Sequence, residues 1–429
     1  MTKRTSRRVA VQWMAVLAAA SFVVGCAQPA SLSPTGVPST SARATSLPTV
    51  GVSISSTPIP SAAPTDTPIT SVIPTDTPAI TAKITDVPTA RPTSDAQLAS
   101  KIDSFLAGLA AQDRFSGSVL VAKDGQVVLS KGYNLADREH ALPNTPQTAF
   151  RIGSLTKQFT AMAILQLQQV GKLDVQDPIC DYLQDCPDAW RPITIHHLLT
   201  HTSGIPELTA LPTFPDFKKR PATPAETIDQ FRELPLDFTP GEAWSYSNSG
   251  YIVLGAIVEA ASGEPYCNFI DRHITQPLQM ANTGCESTRP DIDGLAQGYS
   301  DSNTIADFID MSVPLSGGGL VSTVEDLYLW DQALYTTTLL SQPLLDLLFT
   351  PMAPIPANTG TQDGYGYGWI IGDQLNRRRL WHRGGIEGFV SEIDRYPERR
   401  DTIIVLANRE DVSLPDISAQ IAQMIFENE

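Results

Sequence analysis

The sequence predicts a mixed α/β (α+β) fold, in which an antiparallel sheet is flanked by terminal helices and an inserted segment forms an all-α lobe. Strand-like runs lie near both ends of the region from residue 95 to 429, and most segments between them have helical periodicity. Strands from the two ends are therefore expected to share one sheet, and the helical segment to form a second lobe. A cleft between two lobes is a usual place for a binding site.

The first predicted elements are a helix and a β-hairpin. Residues 96–111 carry apolar side chains at helical spacing, and Asp95 is a suitable N-cap. Two β-rich runs follow at residues 117–122 and 126–131. The Lys-Asp-Gly sequence between them is a turn signal, so the two runs predict the antiparallel strands of a hairpin.

The remaining elements follow from the same two periodicities. A long helical pattern runs from residue 154 to 170 and stops at Gly171, a suitable residue just beyond a helix C-terminus. Further helical patterns cover residues 195–199, 251–261, 269–274, 325–334, 343–348 and 416–426. Strand signals return late in the chain, at residues 366–371, 379–382, 389–395 and 402–407.

The N-terminus has the pattern of an export signal. A basic start precedes a mostly apolar run from residue 9 to 24, which is shorter than the ~20 residues that a bilayer-spanning helix needs. The run ends at Val23-Val24-Gly25-Cys26, which resembles the bacterial lipoprotein signal. We therefore predict a lipoprotein signal peptide at residues 1–25 and a membrane anchor through a lipid on Cys26. The alternative is an ordinary signal peptide in which the cysteine stands by chance.

Residues 26–94 are rich in Pro, Ser and Thr and predict a disordered linker. The sequence Pro-Thr-Asp-Thr-Pro at residues 64–68 returns at residues 74–78. Repeated proline removes backbone donors and favours extended polyproline segments, so this region is expected to act as a tether without a packed core. A folded domain is then expected at residues 95–429.

The net charge limits the classes of possible binding partner, and the cysteine content indicates which disulfide bonds to expect. The formal net charge of −16 argues against nucleic acid and anionic membrane surfaces as partners. Besides Cys26, four cysteines remain, and four cysteines allow three pairings that sequence alone does not distinguish. We expect Cys180–Cys186 and Cys267–Cys285, because neighbouring cysteines close small loops. No CxxC spacing suggests zinc or redox chemistry.

Three short motifs, each weak alone, together describe an acyl-transfer site. They supply a nucleophile, a general base and a strand that holds an oxyanion, which breaking an amide or ester requires. The first motif begins a helix, with the lysine one turn after the serine and on the same face. The motifs are Ser154-Leu155-Thr156-Lys157, Tyr246-Ser247-Asn248 and His382-Arg383-Gly384.

Two residues are candidates for the general base. Lys157 needs a pKa well below ~10.4 to act as a neutral amine, and Tyr246 needs a pKa below ~10 to act as a phenolate. Burial or a neighbouring cation would shift either pKa. The sequence does not decide between them.

The motifs and their flanks resemble the serine β-lactamase and penicillin-binding family, in its class C-like branch with D,D-carboxypeptidases, D-aminopeptidases and esterases. The resemblance extends over residues 115–408 and includes supporting segments at 150–154, 195–206, 240–242, 316–320 and 364–369. It implies a β-lactamase/transpeptidase-like fold with a mixed α/β lobe and an all-α lobe. It also implies a small-molecule or peptide substrate, and we expect no cofactor and no metal.

The resemblance implies a role for each motif residue. Ser154 resembles the nucleophile, Lys157 its partner and Tyr246 the base. Asn248 resembles the residue that binds the amide oxygen of the substrate, and the backbone N–H groups of Ser154 and Gly385 resemble an oxyanion hole. The substrate-binding prediction comprises Asn248, His382, Gly384 and Gly385, with the paired glycines letting a substrate lie close to the strand.

One motif departs from the family pattern. His382 stands where the family usually has lysine, and Arg383 where it has a small hydroxyl residue that helps to hold a substrate carboxylate. Histidine is mostly neutral at pH 7, so a standing positive charge is lost. This weakens the case for an efficient β-lactamase, unless Arg383 faces the cleft and restores the charge.

The sequence thus predicts an exported, lipid-anchored serine hydrolase that acts through an acyl-serine intermediate. A D-amino-acid peptidase and a carboxylesterase are the two leading hypotheses. The alternatives are a β-lactamase or slow-turnover penicillin-binding protein and, from another class, a non-catalytic binding or sensor domain on the same scaffold.

Overall fold

A computed structural model describes residues 94–288, 294–356 and 363–427 of the 429-residue chain. The predicted signal peptide, Cys26 and all of the predicted linker except Ser94 lie outside the described residues. Within the described ranges, no helix combines the length and the apolar character needed to cross a membrane.

The prediction of one antiparallel sheet built from both ends of the chain is confirmed. The central sheet has eight strands in the order β2-β1-β13-β12-β11-β10-β9-β8, and β1 pairs antiparallel with β13. The strands are β1 (Gly117–Lys123), β2 (Gln126–Tyr133), β3 (Leu135–Asp137), β4 (Leu142–Pro143), β5 (Phe150–Arg151), β6 (Gly284–Cys285), β7 (Leu320–Ser322), β8 (Ala353–Pro354), β9 (Gly364–Tyr365), β10 (Ile370–Gln374), β11 (Arg377–Ile386), β12 (Phe389–Tyr396) and β13 (Asp401–Ala407). Strands β3–β7 form two small separate sheets, which the sequence patterns did not predict.

The predicted helices are present in the expected order, most of them between β5 and β8. The helices of the structure are α1 (Ser94–Ala111), α2 (Thr156–Gln169), α3 (Ile195–Leu199), α4 (Phe214–Phe217), α5 (Pro224–Ile228), α6 (Asn248–Ser262), α7 (Tyr266–Ile270), α8 (Leu315–Gly318), α9 (Val324–Ala333), α10 (Gln342–Leu348) and α11 (Leu414–Phe426). Three of them, the short helices α4, α5 and α8, were not predicted. The predicted helix at residues 269–274 is part of α7 and of a π-helical turn at Asp271–Thr275 that continues it.

The central strands β1, β12 and β13 are buried on both faces of the sheet. Successive side chains of a strand point to opposite sides, so each strand contributes to two cores. In β1, Val119 and Val121 pack with the terminal helices α1 and α11. Leu120 and Ala122, one residue out of phase, belong to the larger core that includes α2 and the inserted helices. The sheet therefore separates a layer of terminal helices from the helical lobe, as the fold class predicts.

The predicted strand at residues 366–371 is wrong in its first half. The chain leaves the sheet after β9 and re-enters it at Ile370, because Gly368 has a left-handed φ of +74°. A Cβ atom on Gly368 would lie 2.8 Å from the carbonyl oxygen of Lys157, so only glycine allows this turn to approach α2 so closely. The departure from the sheet therefore packs the chain against the helix that carries the lysine.

Both predicted disulfides are present. Cys180 and Cys186 are joined with their Cα atoms 5.3 Å apart, and Cys267 and Cys285 with theirs 5.7 Å apart. The second bond ties α7 to β6, so it connects a helix of the inserted lobe to one of the small sheets.

Candidate active site

Ser154 lies in a tight turn between β5 and α2. The turn, Gly153–Leu155, is a 3₁₀ helix, where the sequence pattern predicted the start of the α-helix itself. Gly153 has a left-handed φ of +49°, and a Cβ atom there would lie 2.9 Å from the backbone nitrogen of Gly385. Glycine at this position therefore lets the turn pack directly against β11 and brings Ser154 beside that strand.

Lys157 is one turn further along and is completely buried. Its Nζ atom lies 3.0 Å from Ser154 Oγ, 2.7 Å from Asn248 Oδ1 and 2.7 Å from the carbonyl oxygen of Gly317. Burial lowers the pKa of Lys157 to about 7, and the negative charge of Glu207 opposes that shift. The lysine can therefore exist as a neutral amine near neutral pH.

The three partners of Lys157 determine which way its lone pair points. Asn248 Oδ1 and the Gly317 carbonyl oxygen can only accept hydrogen bonds, so they take two N–H groups of the amine. In the neutral form, the remaining lone pair then faces Ser154 Oγ, which can donate its hydroxyl hydrogen to it. The arrangement places Lys157 to receive the proton of Ser154.

Tyr246 also lies beside this pair, in the loop that precedes α6, as expected. Lys157 Nζ stands 4.9 Å from the centre of its ring. Burial raises the pKa of Tyr246 above its ordinary value, while its interaction with the Ser154 hydroxyl acts in the opposite direction. The phenol oxygen has no partner of good hydrogen-bond geometry among the described residues. Between the two candidate bases, the geometry and the direction of the pKa shifts favour Lys157.

His201, in the family segment at residues 195–206, supports the loop that carries Tyr246, a role that the sequence patterns did not identify. Its Nδ1 atom accepts a hydrogen bond from the backbone nitrogen of Ser247 at 3.1 Å, and its ring lies 4.3 Å from the ring of Tyr246. Burial and then the charge of Lys157 hold the pKa of His201 well below its usual value. The neutral ring of His201 therefore packs against the ring of Tyr246.

Asn248, the first residue of α6, links Lys157 to Glu207. While its Oδ1 atom accepts from Lys157, its Nδ2 atom donates to Glu207 Oε1 at 2.8 Å, and its backbone nitrogen donates to Glu207 Oε2. The sequence analysis did not assign Glu207 either. The available signal was an acidic residue directly after the family segment that ends at Pro206.

His382, predicted to bind substrate, has other partners for both ring nitrogens. Nδ1 lies 2.6 Å from the carbonyl oxygen of Arg383, an obligate acceptor, so Nδ1 carries the hydrogen. Nε2 then accepts from the Tyr365 hydroxyl at 3.1 Å. Burial, followed by the charge of Lys157, lowers the pKa of His382 to about 3. The ring is thus a neutral, buried group and not a cation in the cavity wall.

Arg383 faces away from the site. Its Nε atom lies 3.1 Å from Glu392 Oε2, and its guanidinium stacks on the ring of Trp381 at 4.7 Å. The side chain is 43% exposed. Of the two possibilities left open for Arg383, the structure therefore shows the outward one.

The two glycines of β11 face different environments. A Cβ atom on Gly384 would lie 2.1 Å from the carbonyl oxygen of Ile152 and 2.3 Å from Ser391 Oγ, whereas one on Gly385 would meet open space. Gly384 therefore lets β11 pack against the segment before Ser154. Only Gly385 presents its backbone to the cavity, where a substrate can approach.

A cavity of about 940 Å³ opens beside Ser154. This volume lies within the range of about 300–1,000 Å³ that is usual for small-molecule sites. Ser154, Asn248, Gly317 and Gly385 line it at the catalytic end. Within the described residues, no group of three or more His, Cys, Asp and Glu side chains is arranged to hold a metal ion.

Comparisons with known proteins cover most of the chain. Residues 99–423 match the family described as Beta-lactamase. The chain is 31% identical over 321 residues to Penicillin-binding protein 4* of Bacillus subtilis, covering 71% of this chain and 70% of that protein. It is 34% identical over 218 residues to Esterase EstB of Burkholderia gladioli, covering 47% of this chain and 55% of the esterase.

A solved structure of a penicillin-binding protein homologue is also similar to this chain. The octameric penicillin-binding protein homologue from Pyrococcus abyssi matches with a TM-score of 0.69 and 31% identity, over 76% of this chain and 77% of the homologue. Together with the family match, this similarity confirms the predicted β-lactamase/transpeptidase-like fold and the predicted family resemblance.

Proposed function

The chain belongs to the Beta-lactamase family and is an enzyme of the serine-hydrolase type, and within that family we propose that it cleaves an amide or ester through an acyl-Ser154 intermediate. One observation carries the proposal: Lys157 Nζ lies 3.0 Å from Ser154 Oγ, and two carbonyl oxygens direct its lone pair toward that hydroxyl. A serine hydroxyl is a weak nucleophile until a neighbouring base takes its proton.

In the acylation step, Ser154 Oγ attacks the carbonyl carbon of the substrate while its proton passes to Lys157 Nζ. The backbone N–H groups of Ser154 and Gly385 stabilise the resulting oxyanion. When the tetrahedral intermediate collapses, the bond to the leaving alcohol or amine breaks and the leaving group takes the proton. We assign the relay of that proton to Tyr246, whose phenol stays protonated near neutral pH and interacts with the Ser154 hydroxyl.

In deacylation, water is the nucleophile and Ser154 Oγ is the leaving group. Lys157 accepts a proton from the attacking water, and the bond between the acyl carbon and Ser154 Oγ breaks. The serine oxygen regains its proton from Lys157, and the carboxylic acid product leaves. Asn248 donates its second Nδ2 hydrogen to the amide or ester group of the substrate, since its first goes to Glu207.

Two substrate classes lead within this mechanism: D-amino-acid peptides and carboxylic esters. The similarity to Penicillin-binding protein 4* supports the first class and the similarity to EstB the second. A β-lactamase or a slow-turnover penicillin-binding protein is the next alternative, and stable labelling by a fluorescent penicillin would favour the latter. A non-catalytic binding or sensor domain is the alternative from another class.

The test combines turnover with covalent labelling. We expect the wild-type protein to hydrolyse p-nitrophenyl butyrate and to gain one adduct from a fluorophosphonate, measured by intact mass. Ser154→Ala should lose both without loss of its circular-dichroism spectrum. Ser104→Ala, in an exposed serine of α1, is the matched control and should retain both. A folded wild-type protein that is neither labelled nor active would favour the non-catalytic alternative.

We further propose that the protein is exported and anchored to the cell membrane through a lipid on Cys26, with the predicted linker at residues 26–94 as the tether up to Ser94, where α1 begins. The signal pattern at residues 1–26 supports this proposal, as do the two disulfides, because such bonds persist in oxidising compartments. In a bacterial host, the wild-type protein should incorporate an alkyne-tagged fatty acid and fractionate with membranes. Cys26→Ser should lose the label. Equal labelling of both proteins would contradict the assignment of Cys26.

A further inference from the structure

We infer, resting on the proposed function, that the cavity beside Ser154 accepts uncharged or cationic apolar substrates and discriminates against substrates that carry a carboxylate. Of the two leading substrate classes, this favours esters, and it restricts the peptides to those whose C-terminal carboxylate is blocked or lies outside the cavity. The inference follows from the state of each cation near the cavity. A carboxylate entering a partly enclosed site needs a cation that is free to pair with it, because burying an unpaired charge is costly.

The position where the family usually has lysine provides no such cation. His382 is buried, and its two ring nitrogens are bonded to the Arg383 carbonyl oxygen and the Tyr365 hydroxyl. Arg383, the next residue, pairs with Glu392 on the outer side of β11. Neither residue is among those that line the cavity.

The amine of Lys157 also has hydrogen-bond partners already. It contacts Ser154, Asn248 and Gly317 at 3.0 Å or less, and the side chain is fully buried. A substrate carboxylate would have to displace one of these partners to reach it. The contacts of Lys157 therefore suit proton transfer with Ser154. Its amine has no unpaired N–H group with which to bind a substrate anion.

Lys218 is the one cationic side chain among the described residues that line the cavity, and two carboxylates neutralise it. Its Nζ atom lies 2.5 Å from Glu387 Oε1 and 3.1 Å from Asp307 Oδ2, and its side chain is only 11% exposed. Glu410, which accepts a hydrogen bond from the Gly388 nitrogen at 2.7 Å, adds a third carboxylate to the lining. The ionised side chains that line the cavity are thus three carboxylates and one ammonium. Lys219, which is outside the lining and 49% exposed, lies 3.9 Å from Asp307 and offsets part of that excess.

Most of the remaining wall is apolar, apart from a few uncharged polar residues such as Thr209, Ser300 and Thr304. Its side chains include Leu208, Phe214, Ile252, Ile309, Val313 and Pro314. Such a surface favours an aliphatic or aromatic acyl group through burial of apolar area. An ammonium group at the far end of that acyl group would lie in the field of the three carboxylates, whereas a carboxylate would be repelled.

Three esters of nearly equal length test this inference: the p-nitrophenyl esters of hexanoate, 6-aminohexanoate and adipate (the mono-ester). They present a methyl, an ammonium or a carboxylate at the end of the acyl chain. We expect kcat/KM for the adipate ester to be about tenfold or more below that of the hexanoate ester, and the aminohexanoate ester to be favoured over the adipate ester by more than that. A second pair, phenyl hexanoate and 3-carboxyphenyl hexanoate, measures the same discrimination on the leaving-group side.

Two variants connect the discrimination to the charges. Glu387→Gln removes the charge of one of the two carboxylates that pair with Lys218. It should therefore raise the adipate-to-hexanoate ratio of kcat/KM several-fold. Arg383→Ala, whose side chain faces outward, should leave that ratio unchanged. A tenfold fall of the ratio in Arg383→Ala would show that the arginine serves the carboxylate after all and would overturn the inference.

The possible failures are distinguishable. Equal kcat/KM for the hexanoate and adipate esters, with Ser154 still labelled by a fluorophosphonate, would overturn the charge selectivity and leave the acyl-serine mechanism standing. Absence of turnover of every ester together with absence of labelling would remove the proposed function and this inference with it.

Discussion

Glu207 holds Asn248 at two points, accepting from its backbone nitrogen at 2.5 Å and from its side-chain Nδ2 at 2.8 Å. An asparagine amide has two nearly isosteric orientations, and only one of them points Oδ1 at Lys157. Because a carboxylate accepts and does not donate, Glu207 selects the orientation in which Nδ2 faces it. Glu207 therefore determines indirectly which atom Lys157 meets.

Glu207→Gln should weaken that selection and remove a negative charge near Lys157. The charge of Glu207 raises the pKa of Lys157 against the effect of burial, so its loss lowers that pKa further. The other titratable groups near the lysine are neutral and do not replace the charge. They are His201 and His382, whose pKa values are lowered, and Tyr246 and Tyr251, whose pKa values are raised. We expect kcat to fall about tenfold and the acid limb of the pH profile of kcat/KM to move to lower pH.

The matched control is Glu242→Gln, in an exposed glutamate of the loop before Tyr246. It should leave both kcat and the acid limb in place. A Glu207→Gln profile whose acid limb stays fixed or moves to higher pH would contradict the electrostatic part of this explanation.

The wild-type pH dependence should report Lys157 directly. The neutral amine is the form that accepts the Ser154 proton, and the pKa of Lys157 lies at about 7. Activity on an uncharged ester should therefore rise as pH increases through about 7, measured as kcat/KM between pH 5 and 9.

Lys157→Arg should remove this dependence together with most of the activity. A guanidinium stays protonated and does not accept the proton, so we expect a loss of between about 100- and 10,000-fold. Lys172→Arg, at an exposed position, controls for the substitution itself. Retention of wild-type activity in Lys157→Arg would assign the base to another group, with Tyr246 the first candidate.

Gly384→Ala and Gly385→Ala should separate stability from activity. The new methyl on residue 384 would overlap backbone and side-chain atoms of Ile152 and Ser391, so we expect a loss of at least about 2 kcal/mol in the free energy of unfolding. The methyl on residue 385 meets open space in the cavity, so it should lower kcat/KM with little change in stability. Urea denaturation and ester turnover measure the two effects, and the reverse pattern would refute this division of roles.

The two disulfides should contribute unequally to stability. Cys267–Cys285 closes 18 residues of chain and Cys180–Cys186 closes 6. On the chain-entropy model, removing the Cys267–Cys285 bond lowers the free energy of unfolding by about 3 kcal/mol, and removing the Cys180–Cys186 bond lowers it by about 2 kcal/mol. Denaturation of the paired Cys→Ala variants measures both values, and a larger loss for the Cys180–Cys186 pair would contradict the ranking.

Much of the fold could be predicted from local sequence. The hairpin of β1 and β2, the helix that carries Lys157 and the late strands β11–β13 are formed where periodicity and turn residues indicate them. The segment at residues 366–369 shows the limit of this approach. Its residues suit a strand, but packing of Gly368 against the backbone of α2 takes the chain out of the sheet.

Residue order alone predicts the family motifs, the one-turn spacing of Ser154 and Lys157 and the shared sheet of the two chain ends. These features depend on residue order and on the geometry of single helices and strands. Which atoms face one another depends instead on tertiary contacts. Asn248 and Gly317 take two N–H groups of Lys157, and Glu207 orients Asn248. His382 and Arg383 have partners away from the cavity and do not line it. The physical reason is that side-chain direction and burial arise from contacts between residues that are far apart in the chain, and these contacts set both hydrogen-bond partners and proton affinity.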